Sequence, residues 1–237
     1  LKKLFFFSLA LSQFILIDRV AITLADLWLQ GSFKYTWLTA HHAIQIFLAL
    51  AVMAVPVWNR RLADWGLNGQ NIRLTLKILG RFTLGWIAFT TLYTLVTQWL
   101  AGWPPLLDFE LTLENALIYL AFESILVGIS EELVFRGLVQ GVLSPHFSKE
   151  VRLPGFSISL AGLITAVFFA LAHIGFSLSP FAITGFAPMQ VFMAFALGIF
   201  YAVLRERTGS LLGSVLAHNI SDGWLSILYI LIQMIRA

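Results

Sequence analysis

Seven apolar stretches dominate this chain, and each approaches the length needed to cross a lipid bilayer, about 20 residues of helix. They run over about Leu4–Leu29, Ala40–Trp58, Phe82–Ala101, Leu113–Leu143, Phe156–Phe176, Ala187–Leu204 and Leu211–Ile235. Such a chain must satisfy every backbone polar group internally wherever it meets lipid, which favours helices. The expected fold class is therefore all-α, a polytopic membrane helix bundle of about seven (six to eight) spans. The 237 residues are 59% hydrophobic and 11% charged, against about 25% charged in a soluble domain. That composition excludes a disordered chain or a soluble globule and leaves little room for a second domain, so residues 1–237 read as one integral membrane domain. With no Cys, disulfides, a thiol nucleophile and thiolate metal ligands are excluded. The net charge of +3 is spread over short loops rather than clustered on one face, so no nucleic-acid partner is expected.

Residues 59–81 read as a basic amphipathic connector on the membrane surface, with Ile72, Leu76, Leu79 and Phe82 at helical spacing. Lys2-Lys3 and the run after them fit the start of a signal peptide, but Asp18-Arg19 follows instead of a small-residue cleavage site. With the N-terminus inside, the inner segments hold Lys2, Lys3, Arg60, Arg61, Arg73, Lys77, Arg81, Lys149, Arg152, Arg205 and Arg207, or 11 of the 15 Lys+Arg. Only Lys34 and Arg236 fall outside, while Arg19 and Arg136 lie within spans. The positive-inside bias predicts a cytoplasmic N-terminus. Trp28, Trp37, Trp58, Trp65, Trp99 and Trp103 lie near span ends and read as interfacial anchors. His41-His42 opens the second span with no carboxylate nearby in sequence, and reads as interfacial.

Charge inside a bilayer costs about 2.5–3.5 kcal/mol per residue even on the lenient insertion scale, so the intramembrane polar residues carry the functional information. The fourth stretch holds Glu114, Glu123, Glu131, Glu132 and Arg136; the fifth holds His173; the seventh holds His218, Asn219 and Asp222. Glu132 and Arg136 are spaced i, i+4 and fall about 40° apart on a helical wheel, so they can neutralise each other. Glu131 falls about 140° from Arg136 and is freer to react. His218 and Asp222 again share a face. Singly, each feature also reads as interhelical glue. Together, a Glu pair, a His and a His-x-x-x-Asp on three helices form the kind of set from which bundle sites are built. Their depths from the inner ends are about 18 Å for Glu131, about 26 Å for His173 and about 11 Å for His218, and His173 fits a common layer least well.

Glu131-Glu132-Leu133-Val134-Phe135-Arg136 matches Glu-Glu-x-x-x-Arg, Phe169-Ala170-Leu171-Ala172-His173 matches Phe-x-x-x-His, and His218-Asn219-Ile220-Ser221-Asp222 matches His-x-x-x-Asn/Asp. In that order, on three apolar segments, they resemble the CPBP family of CAAX proteases and bacteriocin-processing (Abi) intramembrane endopeptidases, related to the Ras-converting CAAX endopeptidase. Glu206-Arg207-Thr208-Gly209-Ser210-Leu211 also resembles bacterial members. The resemblance covers about residues 113–226. It implies an intramembrane peptide hydrolase without a cofactor, in which Glu131 activates a water as general base, His173 holds that water, and His218 with Asp222 stabilises the oxyanion. Glu132, Arg136 and Phe169 would support them. Where many members carry Asn, this chain has Asp222, which in its ionised form cannot donate to an oxyanion. Asp222 would then be protonated, orient His218, or act through water. A carboxylate in a water-poor site is also a better proton acceptor than one in bulk water.

Three alternatives stay open. Glu131, His173 and His218 could instead ligate zinc in an open three-ligand site, although no His-Glu-x-x-His motif is present. The chain could be a non-catalytic factor for bacteriocin self-immunity or scaffolding. Midplane carboxylates also serve transporters, although no inverted repeat is visible. The expected partners are membrane lipids and a peptide or protein substrate, prenylated if of CAAX type. The short basic inner loops resemble bacterial members, which points to a bacterial plasma membrane.

Overall fold

The computed structural model describes residues 1–178 and 181–236. Seven helices account for most of it. Helices α1 (Lys2–Leu29), α2 (Lys34–Met53) and α3 (Ile72–Leu100) form the N-terminal part. Helix α4 is a continuous helical rod over residues 113–143, followed by α5 (Leu160–Ala172), α6 (Pro188–Thr208) and α7 (Leu212–Arg236). Two antiparallel hairpins flank α5: β1 (Glu150–Leu153) with β2 (Phe156–Ser159), and β3 (Gly175–Leu178) with β4 (Phe181–Gly185). The helical membrane bundle expected from the sequence is present, and α1, α2, α6 and α7 are each long and apolar enough to cross a membrane.

Helix α4 is the centre of the bundle, touching α1, α2, α5, α6 and α7; α3 packs along α7, and α5 along α6. The apolar core follows from this placement. Leu133, Phe135, Leu138, Val139 and Val142 of α4 pack with Ala10 and Ile17 of α1, Ala49 and Met53 of α2, and Phe168 and Phe169 of α5. Local chemistry sets the ends of the rods. Thr112 Oγ1 accepts from Asn115 N at 3.2 Å to start α4, and Ser159 Oγ accepts from Gly162 N at 3.0 Å to start α5. Each satisfies an amide that a helix start leaves without a partner. Pro188 opens α6, and Gly209 closes it at φ +70°, a conformation that costs Gly little.

Four expectations need correction. Residues 72–81 are not part of a separate surface connector: α3 starts at Ile72 and runs unbroken to Leu100, while residues 56–65 hold only two short 3-10 turns. Burial explains why, since Thr75 and Leu79 face α6 and α7 rather than a lipid headgroup layer. The fifth apolar stretch is not a single span over 156–176. Its helix has 13 residues, about 20 Å, and hairpins take both flanks. Trp65 is not an interfacial anchor, because it is fully buried at one end of the bundle, where Gly141 leaves room for its ring. His41 and His42 are not interfacial either, at 7% and 6% exposed.

Candidate active site

The fourth helix is not a regular α-helix at the point where the carboxylates sit. Phe122–Leu126 and Leu133–Val139 are π-helical and bracket the α-turn Val127–Glu132. Widened turns of this kind free backbone groups and tend to occur at functional sites. One freed donor is Gly128 N, which reaches Asn219 Oδ1 on α7 at 3.1 Å. A side chain at 128 would meet that oxygen, since a Cβ there would lie 2.2 Å from it. Glycine therefore lets α7 close onto α4 at the residue next to His218.

The Glu pair divides as its wheel positions predict. Glu132 and Arg136 are both fully buried, and Arg136 Nη1 donates to Glu132 Oε1 at 2.7 Å. Arg136 Nη2 donates to the Gly198 carbonyl of α6 at 3.0 Å, and the guanidinium lies 4.3 Å from the Phe169 ring centre. Glu132 Oε1 also contacts His218 Nδ1 at 3.0 Å, so one carboxylate oxygen ties α4 to both its own next turn and α7. Glu131 points elsewhere. Its side chain is 20% exposed, and its Oε2 lies 3.8 Å from His218 Nε2. His218 Nε2 in turn lies 3.1 Å from Asp222 Oδ2. Both ring nitrogens of His218 thus face carboxylate oxygens, and each contact needs a proton between the two atoms. Tyr201 stacks on the His218 ring at 5.0 Å, and its hydroxyl contacts Ser221 Oγ at 2.9 Å.

His173 caps α5. Its Nδ1 contacts the Phe169 carbonyl at 2.8 Å. A carbonyl only accepts, so Nδ1 carries the proton in this contact and Nε2 keeps a lone pair when the ring is neutral. Phe169 thereby supports the site through its backbone as well as its ring. The depth misfit of His173 also resolves, because α5 begins at Leu160 rather than Phe156, shortening the climb to about 20 Å.

A cavity of about 590 Å³ joins these groups. Glu131, His173, His218 and Asp222 all line it, with Glu123, His42, Trp86 and Tyr201, and with apolar groups such as Leu38, Val127, Met193, Leu197 and Leu225. Glu132 and Arg136 lie behind the wall. Two lining groups had no role assigned from sequence. Glu123 was visible as an intramembrane carboxylate eight residues before Glu131. His42 carried a fainter signal, a His one residue after the i, i+4 pair His41 and Gln45. Among the described residues, no group of three or more His, Asp or Glu is arranged to hold a metal ion.

Elsewhere the loop after α6 is structural. Glu206 accepts from Gln140 Nε2 at 2.9 Å and from Ser159 N at 3.1 Å, and Asn68 and Asn71 hold the carbonyls of Gly209 and Thr208. No curated protein and no solved structure matched the chain. A family model did, over residues 113–224: Rce1-like, described as Type II CAAX prenyl endopeptidase Rce1-like. That stretch contains every one of the motif residues gathered at the cavity, and over it the chain is similar to Type II CAAX prenyl endopeptidases of the Rce1-like kind.

Proposed function

We propose that this protein is an intramembrane endopeptidase that hydrolyses a peptide bond of a membrane-associated peptide or protein with a water activated by Glu131. The observation that carries the reading is the convergence of Glu131, His173, His218 and Asp222, from three separate helical segments, on one cavity. A water between Glu131 and His173 Nε2 would give one hydrogen to each acceptor and aim an oxygen lone pair at the scissile carbon. As the C–O bond forms, Glu131 takes the proton. His218, held through Nδ1 by Glu132, would pass its Nε2–H from Asp222 to the developing oxyanion, where donors fixed in a water-poor site act most strongly. Glu131 then returns the proton to the departing amine as the C–N bond breaks. The apolar part of the cavity wall suits an aliphatic side chain or a prenyl group.

A cytoplasmic N-terminus is the orientation that the meeting of the basic segments supports. Lys3 lies over the Phe147 ring, Arg60 reaches the Gly141 carbonyl, and Leu211 N bonds Gly66 O. The basic segments thus share one end of the bundle, whereas Lys34 pairs with Asp108 and Arg236 with Pro104 at the other. The positive-inside rule makes the basic end cytoplasmic, with the N-terminus there; a bacterial plasma membrane is the setting that the short basic loops favour.

The test is cleavage of a quenched fluorescent peptide, farnesylated and unmodified, with and without a strong chelator. Glu131→Gln is expected to lower kcat by about 10²–10⁴, the usual contribution of a general base. Asp222→Asn, which keeps a partner for His218, should retain activity within about tenfold. Activity lost on chelation and restored by zinc would replace this mechanism with a metal one. Wild-type cleavage that survives Glu131→Gln would reject Glu131 as the base.

A further inference from the structure

The matched family segment begins at residue 113, yet one wall of the cavity is His42, from α2. Its ring is 6% exposed and meets Phe122 edge-on at 5.0 Å. Its Nδ1 hydrogen-bonds Ser130 Oγ, on the residue directly before Glu131. Ser130 Oγ lies 3.4 Å from Gln45 Oε1, and Gln45 Nε2 lies 3.5 Å from Asp18 Oδ1 on α1. His41 Nε2 joins the same group, 3.3 Å from Gln45 Nε2 and 3.5 Å from Asp18 Oδ1. A buried polar chain therefore runs from Asp18 to the cavity wall, built almost entirely from helices outside the matched segment.

The Gln45 amide sets the direction along the chain. It turns its N–H₂ toward Asp18 and its carbonyl toward Ser130. The Ser130 hydroxyl then donates to Gln45 Oε1, and its oxygen accepts from His42 Nδ1–H. This leaves the His42 Nε2 lone pair without a protein partner among the described residues, on a ring that borders the cavity. The chain thus uses Ser130, Gln45, Asp18 and His41 to hold a ring on the cavity wall in a fixed direction.

We propose that His42 Nε2 accepts a backbone N–H of the bound peptide, making His42 a substrate-contacting residue of the site, with Ser130, Gln45 and Asp18 as its positioning residues. The proposal rests on the peptide-hydrolase reading above and adds a recognition contact from the half of the chain that carries no family motif. An extended peptide leaves such N–H groups free at regular intervals, and a fixed acceptor beside Glu131 would set which bond lies over the base.

Two readouts separate this proposal from that reading. The first is the affinity of Glu131→Gln protein for the farnesylated CaaX peptide, followed by Trp fluorescence, since Trp86 lines the cavity. The second is cleavage by protein with Glu131 intact. His42→Phe is expected to weaken binding about five- to tenfold and to raise KM similarly with kcat within about twofold, as loss of one hydrogen bond predicts. His42→Gln, which keeps an acceptor, should recover most of the loss, and a variant that merely misfolds would not show this rescue. Unchanged affinity and KM in a folded His42→Phe protein would overturn the proposal while the protease reading stands. Peptide binding that depends on His42 in a wild type that does not cleave would overturn the protease reading instead. If no peptide binds and none is cleaved, both fall.

Discussion

Two buried polar clusters meet at Ser130 and Glu131, and they are built differently. The cluster in the C-terminal half, Glu132–Arg136–His218–Asp222, is charged, with contacts of 2.7 to 3.1 Å. The cluster in the N-terminal half, Asp18–His41–Gln45–Ser130–His42, consists mostly of neutral groups, and its contacts out to Asp18 are 3.3 to 3.5 Å. In the first, tight charge pairing ties His218 and Asp222, which line the cavity, to Glu132 and Arg136 behind its wall. In the second, longer hydrogen bonds lead from Asp18 to the close His42–Ser130 contact, which holds one ring at the cavity wall. The difference teaches that burial alone does not assign a role: the chemistry of the partners, charge pairs in one cluster and hydrogen bonds in the other, sets what each holds in place.

The largest effect that would test this contrast is on Arg136. Arg136→Met leaves Glu132 fully buried without its guanidinium partner, and is expected to destabilise the protein by about 3–5 kcal/mol, read as lower thermal stability in detergent and loss of folded protein. Adding Glu132→Gln should recover only part of it, because His218 Nδ1 then loses its carboxylate partner. Equal destabilisation by Gln45→Leu would erase the contrast. That substitution cuts the second cluster at neutral, long contacts and should cost only about 1 kcal/mol, while shifting KM in the same direction as His42→Phe. The smallest effect is expected at the exposed pair Lys34–Asp108, a solvent-screened reference for both clusters. Its 2.7 Å contact holds the Asp108 carboxyl below the usual carboxylate range. A depressed folded-state value contributes stability above the unfolded value, about 3.9, and loses it as pH falls through the folded one. Lys34→Ala should remove that acid-side slope and change stability at neutral pH by no more than about 1 kcal/mol.

Much of the C-terminal site was legible because its partners are close in sequence. Glu132 with Arg136 and His218 with Asp222 are i, i+4 pairs, so helical periodicity alone puts them in contact, and the wheel angle separated Glu131 from its neighbour. The N-terminal cluster was not legible in the same way. Asp18 looked like an interruption in an apolar run, and His41-His42 looked interfacial because its carboxylate lies on another helix. That pairing depends on how α1 packs against α2 and how both pack against α4, which no single helix encodes. The π-helical turns were also hidden, since the residues that adopt them are ordinary helix formers and the widening follows from contacts such as Gly128 with Asn219.

By itself, the sequence determined that the chain is a bundle of apolar helices, which residues inside it carry charge, and which of those share a helical face. These follow from hydropathy and a 3.6-residue period, both local properties. Tertiary structure decided the rest: that α5 is a short helix between hairpins, which brings His173 to the cavity that Glu131 lines; that His218 of α7 meets Glu132 of α4; and that His42 joins the cavity. Each depends on the distance between segments far apart in the chain. Such distances are set by the packing of whole helices against α4, so no window of sequence contains them.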